Sequence, residues 1–221
     1  PMNEIGDLCR KHDCLLLLDT VTSLGGVPLY LDDWKIDLAY SCSQKGLSCP
    51  PGLGPFSINE RAEKKLNNRK GKVPNWYLDV SLLNKYWGSD RVYHHTAPVN
   101  MNFGIREALR LLAEEGLENS WARHRSNAEA LWDGLQGLGL ELHVPIDLRL
   151  PTLTTVCIPP GVNGKEFSLH LLNKFGVEIG GGLGDLAGKV WRIGLMGYNS
   201  RQENVEKILN LFESELPKFR N

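Results

Sequence analysis

The chain has no excess of charge of either sign: over 221 residues, 25 Lys and Arg stand against 26 Asp and Glu, a formal net charge of −1. Binders of nucleic acid or anionic membrane carry a basic excess or patch. None is visible, so nucleic acid and a membrane are not expected as partners. A long apolar run is also lacking. The four leucines Leu15 to Leu18 fall far short of the roughly 20 residues that span a bilayer, and no charged-then-apolar leader precedes them. Cysteine is scarce and odd in number, with Cys9, Cys14, Cys42, Cys49 and Cys157 scattered and never spaced C-x-x-C. That excludes a disulfide framework and a zinc ribbon, and it favours a reducing, intracellular setting, the cytosol by default, with peroxisome and mitochondrion left open. Repeats and low-complexity tracts are absent. The loop Gly180-Gly181-Gly182-Leu183-Gly184 has neither G-x-G-x-x-G spacing nor a Walker lysine, and reads as a flexible connection with no phosphate of its own.

What is present reads as α/β. Cys14 to Leu18, apolar without alternation, fits a strand buried on both faces of a parallel sheet and ends at Asp19. A second strand, Ile36 to Ser41, runs into Ser43-Gln44-Lys45. Phe56 to Ile58 suggests a third, followed by a basic helix from Glu60 to Arg69. The aromatic stretch Val73 to Tyr93 reads as a surface loop with one short helix. From Pro98 the spacing turns helical, with Gly116 as a break and a second helix over Leu117 to Leu138 whose apolar stripe is Leu117, Trp121, Ala128, Leu131 and Leu135. Strands are then expected at 140–144, 152–158, 177–179 and 190–195, with helices at 165–175 and from Ser200, the last opened by a Ser200 to Glu203 capping box. The boundary is placed near Gly116, giving residues 1–115 to the later part of a large sheet domain and 116–221 to a smaller α+β domain.

Three residues stand out for chemistry. Asp19 ends a strand at the sheet edge where open α/β folds bind ligands; a turn-capping role competes with that of pairing a cation. Lys45 follows the next strand, 26 positions on, so that the two can stand on neighbouring strand ends. Its amine is a nucleophile for aldehydes, against the ordinary alternative of a solvated loop lysine. Arg192, in the apolar strand Val190 to Leu195, wants a bidentate anion, either a structural carboxylate or a substrate's. The adjacent His94 and His95 face opposite ways if the backbone is extended, which makes a poor metal site and favours a core or interface pair.

Leu15-Leu16-Leu17-Leu18-Asp19-Thr20-Val21-Thr22-Ser23-Leu24-Gly25-Gly26, Ser41-Cys42-Ser43-Gln44-Lys45-Gly46, Tyr93-His94-His95-Thr96, Glu115 to Trp121 and Arg192-Ile193-Gly194 occur in an ordered set. In it the chain resembles the alanine–glyoxylate (serine–pyruvate) aminotransferases, of the fold-type I, pyridoxal-phosphate-dependent class V group. The resemblance implies that Lys45 forms the Schiff base with pyridoxal 5'-phosphate and later shuttles the substrate proton. It implies that Asp19 pairs with the pyridinium nitrogen, that Val21 packs on the ring, and that Gln44 donates to the phosphate. Tyr93 and Thr96 are expected to reach the phosphate of a neighbouring subunit in a homodimer, and Arg192 to clamp the substrate carboxylate. The implied substrates are a small amino acid, alanine or serine, and a 2-oxo acid, glyoxylate or pyruvate.

The family's stacking aromatic, glycine-rich phosphate turn and ring-hydroxyl partner are not found here, so the chain reads as N-terminally truncated and, in isolation, inactive. Cys42 stands where close relatives often carry glycine. Competing readings are a 3-hydroxykynurenine transaminase, a cysteine desulfurase, and a non-catalytic dimerisation fragment. The C-terminal Phe219-Arg220-Asn221 is not a peroxisomal signal of the serine-lysine-leucine type.

Overall fold

The computed structural model describes residues 1–220; Asn221 lies outside the described residues. Helix α1 (Met2–Lys11) leads into β1 (Leu17–Asp19), β2 (Leu38–Tyr40) and β3 (Phe56–Ile58), which form one sheet in that order. β1 and β2 run parallel, with Asp19 beside Tyr40, and β2 pairs antiparallel with β3. Both strands that precede the candidate residues thus end at the same edge.

Strand β1 is shorter and more open than its sequence suggests. Leu17 is 56% exposed and Leu15 36%, because β1 is an edge strand among the described residues, with β2 on one side only. What anchors the segment is Asp37, whose buried carboxylate takes the Leu16 N–H at 2.9 Å, Asn59 Nδ2 at 3.0 Å and Arg61 Nη1 at 2.9 Å, with Arg10 Nη2 at 3.2 Å. A buried charge so surrounded has its desolvation cost offset.

Helix α2 (Glu60–Asn67) is the expected basic helix, α3 (Val80–Trp87) is the short helix within the aromatic segment, and α4 (Val99–Glu115) is followed at once by α5 (Leu117–Gly137). The break between them is Gly116 at φ +85°, a backbone region costly for any residue with a Cβ. The second sheet is antiparallel, in the order β4 (Leu153–Cys157), β6 (Val190–Gly194), β5 (Gly180–Gly181). Helices α5, α6 (Gly164–Phe175) and α7 (Gln202–Glu215) build the main core with it. Its centre is Phe167, whose ring lies 5.2 Å from those of Trp191 and Phe212. The Trp191 indole N–H, taken from water, donates to the Gly164 carbonyl at 2.9 Å. No helix among the described residues is long and apolar enough to cross a membrane.

Several sequence expectations change. The strand placed at 140–144 is a single bridge, Leu142 to Val156. The strand placed at 177–179 falls instead on Gly180–Gly181, so the supposedly flexible glycine loop pairs with Arg192 and Trp191. A Cβ at Gly180 would make ordinary contact with Arg192 Nη2 at 3.5 Å, so the pairing does not itself demand glycine there. The capping box does not form. Arg201 precedes α7 without a side-chain cap, and the Ser200 hydroxyl meets Asn127 Nδ2 at 3.3 Å instead.

At the end of α7, Glu215 accepts from Lys218 at 2.6 Å and from His170 at 2.7 Å, with Lys174 at 3.6 Å. The Lys218 and His170 hydrogen bonds, against burial, bring its pKa from 4.5 to about 2. Because the folded value is the lower one, the stabilisation is complete above pH 4.5 and is lost as pH falls toward 2. Unfolding titrations should therefore show Glu215→Gln less stable than the parent at neutral pH, with the gap closing across that acid window; a gap independent of pH would contradict this.

Candidate active site

Asp19 ends β1 with its carboxylate exposed. Oδ1 accepts the Val21 N–H at 2.8 Å, and Oδ2 accepts the Tyr40 hydroxyl at 2.6 Å. The Val21 bond is the turn cap that the sequence allows. The Tyr40 bond comes from the neighbouring strand and depends on the parallel register. Tyr40 first, and Val21 second, lower the pKa of Asp19, so the group is an anion at neutral pH. A carboxylate offers about four acceptor positions, which leaves room for a cationic N–H.

Lys45 lies in the turn after β2 and, with Gln44, lines a cleft of about 480 Å³ together with Ser48, Gly194, Met196 and Tyr198. The turn is held tightly: a Cβ at Gly46 would lie 2.1 Å from the Leu24 carbonyl oxygen, within the loop that follows Asp19. Lys45 and Asp19 are not hydrogen-bonded to each other. Both follow the same edge of two adjacent parallel strands. Val21 is half-buried beside Asp19.

Arg192 is half-buried rather than enclosed. Nε donates to the Gly181 carbonyl at 2.7 Å, and among the described residues the guanidinium meets no carboxylate. Residues two apart on a strand share a face, so Arg192 shares its face with Gly194, which lines the Lys45 cleft.

Tyr93 and Thr96 are brought together, hydroxyl to hydroxyl at 3.1 Å, with Tyr93 72% exposed. They do not line the Lys45 cleft of their own chain. The histidines between them hold this turn, and they do not face apart: His94 Nδ1 and His95 Nδ1 are 2.9 Å from each other. His94 Nε2 is 3.0 Å from the Trp76 carbonyl, and its ring stacks on Trp76 at 4.0 Å. Since a carbonyl only accepts, His94 Nε2 donates to it. No cluster of metal-ligating side chains occurs among the described residues.

Sequence reading missed Tyr40, Ser48, Met196 and Tyr198. Nothing in their local pattern marks them. The parallel register brings in the first, Ser48 comes with the Lys45 turn, and the packing of the second sheet brings in Met196 and Tyr198.

The family model "Aminotransferase class-V" matches residues 1–208. The chain belongs to the class-V aminotransferase family, and its fold is that of the fold-type I enzymes. It is 48% identical over 98% of its length to an alanine–glyoxylate aminotransferase of Callithrix jacchus, of which it covers 53%. Among solved structures, an alanine–glyoxylate aminotransferase from Nostoc sp. matches with a TM-score of 0.95 and 61% identity, over 98% of this chain and 57% of that one. A ureidoglycine–glyoxylate aminotransferase from Bacillus subtilis also matches with a TM-score of 0.95, at 41% identity, over 99% of this chain and 57% of that one. The chain thus spans about half the length of the curated relatives it matches.

Removing the Tyr40 hydroxyl should raise the pKa of Asp19 toward the ordinary aspartate value. Carboxyl-carbon NMR titration of Tyr40→Phe against the parent reads this directly, and an unmoved Asp19 titration would contradict the assigned bond.

Proposed function

We propose that, in the complete product of its gene, this chain supplies the lysine, the ring-nitrogen carboxylate and the substrate arginine of a pyridoxal-phosphate-dependent transaminase. The amino group passes from a small amino acid such as alanine or serine to a 2-oxo acid such as glyoxylate or pyruvate. The observation that carries the reading is an anionic Asp19 and the amine-bearing Lys45 turn at the ends of two adjacent parallel strands. The printed names of the relatives favour glyoxylate as acceptor.

When bound, pyridoxal phosphate supplies an electron sink that makes the amino acid's α-proton labile. Lys45 supplies the amine that holds the cofactor's aldehyde and, once released, carries the proton from the substrate α-carbon. Asp19 keeps a proton on the ring nitrogen, and Tyr40 keeps Asp19 ionised and aimed. Val21 packs against the ring face. Gln44 donates to the phosphate, and the paired hydroxyls of Tyr93 and Thr96 turn to the phosphate of a neighbouring subunit in a homodimer. Arg192, with its terminal nitrogens uncommitted, takes the substrate carboxylate bidentately. In this reading Gly116 divides a large cofactor-binding unit, 1–115, from a smaller one, 116–221.

Two tests apply to the complete gene product. With pyridoxal phosphate it should show a visible absorbance band that borohydride fixes as added mass on Lys45, and Lys45→Ala should show neither. A band that persists in the variant, or that never forms in the parent, would overturn the assignment. Arg192→Ala should raise KM for the amino donor about 10- to 100-fold, the scale of a lost charge-assisted pair, and an unchanged KM would remove Arg192 from the site.

A further inference from the structure

His124 is fully buried in the N-terminal half of α5. Its Nδ1 lies 2.7 Å from the Ser120 carbonyl, and its Nε2 accepts the Gly197 N–H at 2.9 Å. A carbonyl can only accept and an amide N–H can only donate, so these two partners leave one arrangement: a neutral ring with its proton on Nδ1.

Gly197 is where the second sheet touches the Lys45 turn. It follows β6 at φ +55°, between Met196 and Tyr198 of the cleft wall. A Cβ there would lie 2.0 Å from Ser48 Oγ and 2.6 Å from the Gly46 carbonyl oxygen. The Tyr198 N–H donates to Ser48 Oγ at 2.7 Å, three residues beyond Lys45. On the other side Arg123 Nη1 donates to the Gly197 carbonyl at 2.9 Å, while its remaining nitrogens hold Glu115. Adjacent residues of α5 therefore hold both backbone groups of Gly197. Through the Ser120 hydroxyl, which donates to the Gly25 carbonyl at 2.7 Å, the same helix turn also holds the loop that follows Asp19.

We propose that His124 is a positioning residue: as the neutral Nδ1–H tautomer it latches the Met196–Tyr198 wall of the cleft to the loops carrying Asp19 and Lys45. This rests on the reading of that cleft as the transamination site. The latch is single-valued in charge, because a second proton on Nε2 would set one N–H against another at Gly197. Arg123 on its own helix and Glu115 at the end of α4 are the charged groups acting on His124; Gly26, Thr152 and Gly197, packed from the other elements, carry no titratable side chain. Burial pushes the ring below its ordinary 6.5, with Arg123 acting in the same direction and the Ser120 bond and Glu115 opposing. The folded value is the lower one, so the latch holds above pH 6.5 and fails as pH falls through the lowered value.

The test uses the complete gene product and three variants of it, His124→Leu, His124→Gln and Ser120→Ala. Hydrogen exchange reports the Gly197 amide independently of any cofactor. His124→Leu should lower its protection about tenfold or more, the scale of one lost buried hydrogen bond. His124→Gln, whose terminal oxygen reaches the place of Nε2, should restore most of it. In the parent, ring 15N shifts should show an unprotonated Nε2, a readout that needs no variant to fold. Steady-state kinetics should show kcat/KM lower in His124→Leu, with the acid limb of the parent profile missing in His124→Gln. Ser120→Ala, which leaves the Nδ1 bond to the backbone carbonyl, should keep Gly197 protected. Unchanged Gly197 protection in His124→Leu, or a protonated Nε2 at neutral pH, overturns the latch. Lost protection with unaltered kcat/KM and pH profile overturns the positioning role. A parent without transaminase activity defeats the functional reading on which that role rests, and the exchange result still decides the latch.

Discussion

Close approach of backbone to backbone at the Lys45 turn is the constraint on which the arrangement depends. Gly46 lies against the Leu24 carbonyl of the loop after Asp19, and Gly197 lies against Gly46 and Ser48 from the second sheet. Side chains at these two points would drive the sheets apart, and the cleft wall with them. Backbone brought so close cannot reach water, so its polar groups need partners within the protein. The polar residues of the first turns of α5 supply them, and the Thr152 hydroxyl does the same for the Thr22 carbonyl at 2.6 Å.

Two aspartates of the first sheet show how burial separates support from chemistry. Asp37 is enclosed, and its oxygens are engaged by Leu16, Asn59, Arg10 and Arg61. It has no capacity for a ligand and holds α1, β1 and α2 together. Asp19 is exposed at the strand end, kept ionised by Tyr40 and Val21, with acceptor capacity to spare. The arginines divide in the same way. Arg123 spends its donors on Glu115, Gly197 and Ser200, whereas among the described residues Arg192 commits only Nε. A charged group that is held but not saturated is what a binding site requires.

The long helices were legible because their apolar residues recur at helical spacing and glycine interrupts them at Gly116. The first turns of α5 were misread for the same reason. An apolar stripe through Leu117 and Trp121 was the natural expectation, yet the face buried there carries Ser120 and His124, while Leu117 is exposed. Hydrophobic period identifies a buried face only where the neighbour is apolar; here the neighbour is backbone. Likewise, Ser200 lost its expected capping role because tertiary partners hold its carbonyl and hydroxyl.

Composition, spacing and ordered motifs determined the α/β class and singled out Asp19, Lys45 and Arg192, because strand ends and lone charges in apolar runs are local features of a chain. Only the tertiary structure decided that Tyr40 holds Asp19, that Arg192 meets no carboxylate among the described residues, that Tyr93 and Thr96 pair, and that His124 grips Gly197. Each of these depends on register or packing between segments distant in sequence, and hydrogen bonds across such distances leave no period for a sequence to display.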